Sequence, residues 1–156
     1  MKKLSILLTI LLLFVFGYAH GADVSAKTEA KSTGSKIVSI KAGKEEGSID
    51  KTFFKKIVAE KPANVALVDV RTKFEYDAGH FAGAKHVFIN DLYDKGCDAT
   101  LAQLPKEEYV VFVCATGARA AEMYFGIKDD CKKADIKRLY FLDATVMYPP
   151  TGPVIK

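Results

Sequence analysis

The sequence predicts an α/β domain, a parallel sheet with helices packed on both faces. Val65–Val70 and Tyr109–Val113 are short apolar runs rich in valine, the first broken only by Asp69. Runs of this kind are strands buried on both faces. Stretches with helical spacing, Lys51–Glu60 and Arg119–Lys133, alternate with them. The second run passes into Cys114–Ala115–Thr116–Gly117–Ala118–Arg119–Ala120, a strand–loop–helix junction. Sheets of this class place such junctions, and their sites, at the carboxyl ends of the strands.

Each element has a local reason. Lys36–Ile40 alternates like a short edge strand, and Lys41–Gly47 is charged and turn-like. Ser48 or Asp50 can cap a helix over Lys51–Glu60. Its Phe53, Phe54, Ile57 and Val58 share a face, and Pro62 ends it. Val65–Val70 follows as a strand, Phe74–Ala78 as a helical turn, Gly79–Ala84 as a loop and His86–Ile89 as a short strand. Leu92–Leu104 reads as irregular or weakly helical and is closed by Pro105. After the central strand Tyr109–Val113, the helix over Arg119–Lys133 is amphipathic through Ala120, Met123, Tyr124 and Ile127. Lys137–Leu142 is the last strand, and Tyr148–Pro153 is a loop.

The 156-residue chain holds one domain, over residues 36–156. Lys2 and Lys3 precede the apolar run Leu4–Phe16, and small residues gather around Gly17, Ala19, Gly21 and Ala22. That grammar predicts a secretory signal over residues 1–21. The apolar run is 13 residues long, against the ~20 that span a bilayer. The expectation is an exported protein, periplasmic in a bacterial cell, with no stable membrane insertion after cleavage. An uncleaved anchor is the alternative. Residues 22–35 are small and polar and read as a flexible linker. Removing Lys2 and Lys3 takes the formal charge from +4 to +2, with basic and acidic residues interspersed. That balance argues against a nucleic-acid partner.

Three cysteines leave one over in an oxidising compartment. Cys97 and Cys131 lie in polar surroundings and are the expected disulfide pair, two free surface thiols being the alternative. Cys114 is the thiol set apart. It sits at a strand end, before a glycine-containing loop and a helix N-terminus, where a thiolate is stabilised. Amides from Ala115 to Ala120 are expected to converge on its sulfur, with Gly117 letting the loop curl. Arg119 is expected to brace the loop through carbonyls or a carboxylate, or to meet an anionic donor. Asp69 in a buried strand needs partners and reads as a brace near the loop. Arg71 and Glu75, four residues apart, read as a structural salt bridge. His80 and His86 lack a ligand-spaced cluster around them and read as structural, so no metal is expected.

Four segments together resemble a single-domain rhodanese: Val68–Asp69–Val70–Arg71 with Glu75–Tyr76; Gly79–His80–Phe81–Ala82–Gly83–Ala84; Cys114–Ala120; and Gly152–Pro153–Val154. The resemblance runs from about Ser48 to Val154. It implies a three-layer α/β fold with five parallel strands. It implies a sulfurtransferase in which Cys114 carries a persulfide within the loop Ala115, Thr116, Gly117, Ala118, Arg119 and Ala120. The donor would be a small sulfur-containing anion, thiosulfate or polysulfide. The acceptor would be a small thiophile or a protein thiol, and no cofactor is needed. The segment Leu142–Tyr148 departs from the family in lacking a Gly–Gly pair and a tryptophan, and the loop lacks the basic residues that accompany thiosulfate use. Two other classes remain open. A cysteine-dependent phosphatase places arginine six positions after its cysteine, whereas here it stands at five. A non-catalytic sulfide or polysulfide carrier, or a regulatory domain, would keep the cysteine without turnover.

Overall fold

A computed structural model describes residues 36–156. The expected signal over 1–21 and linker over 22–35 lie outside the described residues. Among the described residues no helix is long and apolar enough to cross a membrane.

The first helix, α1 (Lys51–Glu60), starts where Asp50 accepts the Phe53 N–H at 2.8 Å, satisfying a donor that the first turn leaves free. Then come β1 (Val65–Asp69), α2 (Lys73–Ala78), β2 (Lys85–His86), α3 (Asn90–Asp94), α4 (Gly96–Gln103), β3 (Tyr109–Val113) and α5 (Ala118–Asp130). A 3-10 turn, Ile136–Arg138, leads into β4 (Leu139–Phe141). The chain closes with a small antiparallel pair, β5 (Val146–Met147) and β6 (Val154–Ile155).

The main sheet runs β2-β1-β3-β4, and all its pairings are parallel. It has four strands where five were expected. The reason lies at the β4 edge. Ser48 makes a lone parallel bridge to Phe141, with Ile49 N–H donating to the Phe141 carbonyl at 2.9 Å. One residue later Asp50 caps α1, so the chain leaves the sheet before a fifth strand can extend. The expected edge strand at Lys36–Ile40 is also absent. Its backbone is satisfied instead by a side chain: Asn64 accepts from Val38 N–H at 3.1 Å and donates to its carbonyl at 2.8 Å. The segment read as weakly helical, Leu92–Leu104, is mostly helix in α3 and α4.

Side chains alternate across the sheet with the strand period of two. Val110, Phe112 and Cys114 pack with Met123 and Ile127 of α5 on one face. Val111 and Val113 pack with Phe54 and Ile57 of α1 on the other. The carboxyl end of β3 therefore delivers Cys114 beneath the start of α5.

Candidate active site

Cys114 follows β3 directly and is 1% exposed. The loop after it turns through Gly117, whose φ of +88° lies in the region that favours glycine. A Cβ there would stand 3.1 Å from the Asp143 carboxylate and 3.2 Å from the Ala144 amide nitrogen. The Gly117 N–H donates to Cys114 Sγ at 3.2 Å. The expected convergence of amides from Ala115 to Ala120 is narrower than that: Gly117 is the loop residue whose amide meets the sulfur. α5 begins at Ala118, so the amides of Ala118, Arg119 and Ala120 belong to its first turn, and the Gly117 carbonyl accepts the Ala121 N–H.

The other loop residues divide by exposure. Thr116 and Ala118 face solvent, Ala115 and Arg119 are half-buried, and Ala120 is buried against the sheet. The Ala115 carbonyl accepts from Val146 N–H at 2.8 Å. The Cys114 carbonyl accepts from the Tyr148 hydroxyl at 3.2 Å. Two successive carbonyls of the loop are thus held by the segment that begins at β5.

Two ion pairs surround the loop, and their partners differ from the expected Arg71–Glu75 bridge. Arg71 pairs with Asp69: Nε reaches Oδ1 at 2.9 Å and Nη2 reaches Oδ2 at 2.7 Å. Its Nη2 also donates to the Gly79 carbonyl at 2.6 Å. Asp69 is fully buried and Arg71 nearly so. Burial opposes the guanidinium charge, but its hydrogen bond to Asp69 leads the influences that carry its pKa above the usual value. Glu75 turns to Arg119 instead, with two bonds of 2.7 Å. Those bonds, opposed by partial burial and helped by Thr72, lower its carboxyl from 4.5 to about 2. The same contact raises the Arg119 pKa against burial. Glu75 is also the third residue of α2, where it closes a capping box with Thr72. The i to i+4 spacing favoured Arg71–Glu75 locally, but the capping box commits Glu75 to the start of α2 and leaves it facing the loop.

His80 and His86 hold backbone. His80 Nδ1 lies 2.9 Å from the Tyr76 carbonyl and His86 Nε2 2.7 Å from the Arg71 carbonyl. Among the described residues no three metal-ligating side chains come together. Cys97 and Cys131 form a disulfide with Cα atoms 5.3 Å apart, at the end of α5 remote from the loop.

One residue near the loop escaped the sequence reading. Tyr148 lies in the stretch read as a terminal loop. Its ring carries the Arg71 guanidinium 3.5 Å above its centroid and meets Phe81 edge-on. Burial, with the Asp69 carboxylate adding to it and Arg71 opposing, pushes its hydroxyl well above the usual tyrosine range. An aromatic just ahead of Pro149–Pro150 was the available signal.

Parallel topology, a thiol at the carboxyl edge and a glycine-turned loop entering a helix define an α/β protein of the cysteine-loop kind. Residues 50–144 match the model of the rhodanese-like domain, and the chain belongs to that family. The solved structures it is similar to include an uncharacterized protein from Saccharomyces cerevisiae, 24% identical over 62% of this chain and 83% of that one, with a TM-score of 0.48. The rhodanese-like domain of the Anabaena sp. protein Alr3790 is 18% identical over 64% of this chain and 67% of that one, TM-score 0.46. The human single-domain sulfurtransferase TSTD1 is 20% identical over 62% and 88%, TM-score 0.45. No curated protein matches the chain.

Proposed function

We propose that this chain is an exported sulfurtransferase that moves sulfane sulfur through a persulfide on Cys114. The observation that carries the reading is the Gly117 N–H aimed at Cys114 Sγ, at the start of a 13-residue helix. An amide donor and the positive end of a helix both favour negative charge on sulfur. In the first half-reaction the Cys114 thiolate attacks the outer sulfur of the donor. The donor's S–S bond breaks, and its electron pair leaves on sulfite or on the shortened polysulfide. In the second, an acceptor such as cyanide or a thiolate attacks the outer sulfur, and the pair returns to Cys114 as thiolate. Arg71 and Arg119 are already paired with carboxylates, and the loop residues between Cys114 and Arg119 are uncharged. A monoanionic polysulfide therefore suits the site better than the thiosulfate dianion. Export is supported by the Lys2–Lys3 and Leu4–Phe16 pattern and by the Cys97–Cys131 disulfide.

Intact-mass measurement after incubation with polysulfide or thiosulfate tests the reading. The expected result is a gain of one sulfur, lost on adding cyanide with release of thiocyanate, and no gain in Cys114→Ser. Transfer that persists in Cys114→Ser overturns the assignment, as does the lack of any adduct with either donor. The burial of Cys114 favours one other reading, a sulfide or polysulfide carrier. An adduct that survives cyanide decides for it.

A further inference from the structure

A trans peptide unit points its C=O and N–H in opposite directions. Whatever holds a carbonyl of the loop therefore also aims the amide of the following residue. The Tyr148 hydroxyl holds the Cys114 carbonyl at 3.2 Å, and the Val146 N–H holds the Ala115 carbonyl at 2.8 Å. Both anchors come from one short segment, which β6 fixes by pairing with β5. Tyr148 is fixed in turn from the other side. Its ring lies against the Arg71 guanidinium, and Arg71 is locked by Asp69 and by the Gly79 carbonyl. A chain of contacts thus runs from the buried ion pair, through the tyrosine ring, to the first peptide of the loop.

We infer that Tyr148 is a positioning residue for the reactive sulfur: its hydroxyl, with the Val146 amide, turns the Ala115 and Thr116 N–H groups into the loop, where they join Gly117 in receiving negative charge. Among the described residues, the Gly117 N–H is the one that reaches Sγ, at 3.2 Å. A persulfide would place its outer sulfur one bond further out, toward the amides that residues 146–148 set through the Cys114 and Ala115 carbonyls. The inference rests on the persulfide reading for that last step, but the aim of the amides toward a thiolate does not.

The test is the pH profile of Cys114 alkylation by iodoacetamide in the unaltered protein, Tyr148→Phe and Tyr148→Ala, followed by intact mass. Only the thiolate displaces iodide, so the midpoint reports how well the loop supports the charge. Cys97 and Cys131 are paired and do not compete. The charged side chains around the loop are Asp69 at the end of β1, Arg71 just beyond it, Glu75 of α2, Arg119 of α5 and Asp143 after β4, and all are kept in each variant. Tyr148→Phe keeps the ring and its stacking on Arg71 and removes only the hydroxyl. Its midpoint is expected to rise by roughly half to one unit, slowing alkylation at neutral pH about three- to tenfold. Persulfide formed on the variant should also decay faster. A Tyr148→Phe profile that superimposes on that of the unaltered protein overturns the inference, and so does a shift confined to Tyr148→Ala, which would assign the effect to packing. If no donor loads the unaltered protein but the Tyr148→Phe midpoint still rises, the sulfurtransferase reading fails and the positioning role stands.

Discussion

Arg119 and Glu75, 44 residues apart in sequence, are joined by two hydrogen bonds of 2.7 Å, Nη1 to Oε2 and Nη2 to Oε1. The pair ties the first turn of α5 to the start of α2 across the mouth of the loop. Both side chains are about one-third exposed, at 31% and 33%, so solvent screens the contact. Arg119→Ala is expected to cost about 1 kcal/mol by urea denaturation. It should slow persulfide formation on Cys114 by much more than that loss of stability explains, because it frees the loop. Loading at the unaltered rate would remove Arg119 from the site.

Acid should release the same brace. The Glu75 carboxyl is lowered from 4.5 to about 2, chiefly by Arg119. A group whose pKa is lower in the folded state contributes stability in full above its unfolded value, and loses it as pH falls through the folded one. The window is therefore between about pH 4.5 and pH 2. Denaturation midpoints of the unaltered protein should fall across it more steeply than those of Glu75→Gln, which has no proton to take up. Parallel curves would show that the ion pair contributes nothing in solution.

The inner pair is expected to behave differently, because both partners are buried. Asp69→Ala leaves the Arg71 charge buried without its carboxylate, at a cost of about 3–5 kcal/mol. Asp69→Ala combined with Arg71→Met removes the charge as well, and should recover part of the loss. Urea denaturation of both variants checks this. A single variant as stable as the double would mean that Arg71 escapes to solvent when its partner is gone.

Short-range physics made much of this molecule legible in its sequence. Tyr109–Val113 is β3 as read, Asp50 caps the helix it was placed before, and Cys114 stands at the junction that its neighbours imply. What escaped was decided by contacts between distant segments. No local pattern says that Ser48 will meet Phe141 for one bridge and then leave the sheet. Helical spacing offered Arg71 to Glu75. In the fold Arg71 folds back on Asp69, two residues behind it, and the first turn of α5, from the far half of the chain, supplies Arg119 to Glu75. Tyr148 was hidden for the same reason, since its role depends on β5 and β6, two-residue strands too short to show a period.

The Cys97–Cys131 disulfide spans 34 residues and closes around β3, the loop and α5. Cross-linking a stretch of that length removes unfolded-chain entropy worth about 3–4 kcal/mol. Cys131 is the C-cap of α5, whereas Cys114 precedes its N-terminus, so the bond should govern stability and not the reactive thiol. Cys97→Ser/Cys131→Ser is expected to unfold at markedly lower urea concentration. At temperatures where it remains folded, it should alkylate at Cys114 with an unaltered pH profile. If the profile moved with the stability, the far end of α5 would be coupled to the loop, and the disulfide would have to be counted among the groups that set the state of the sulfur.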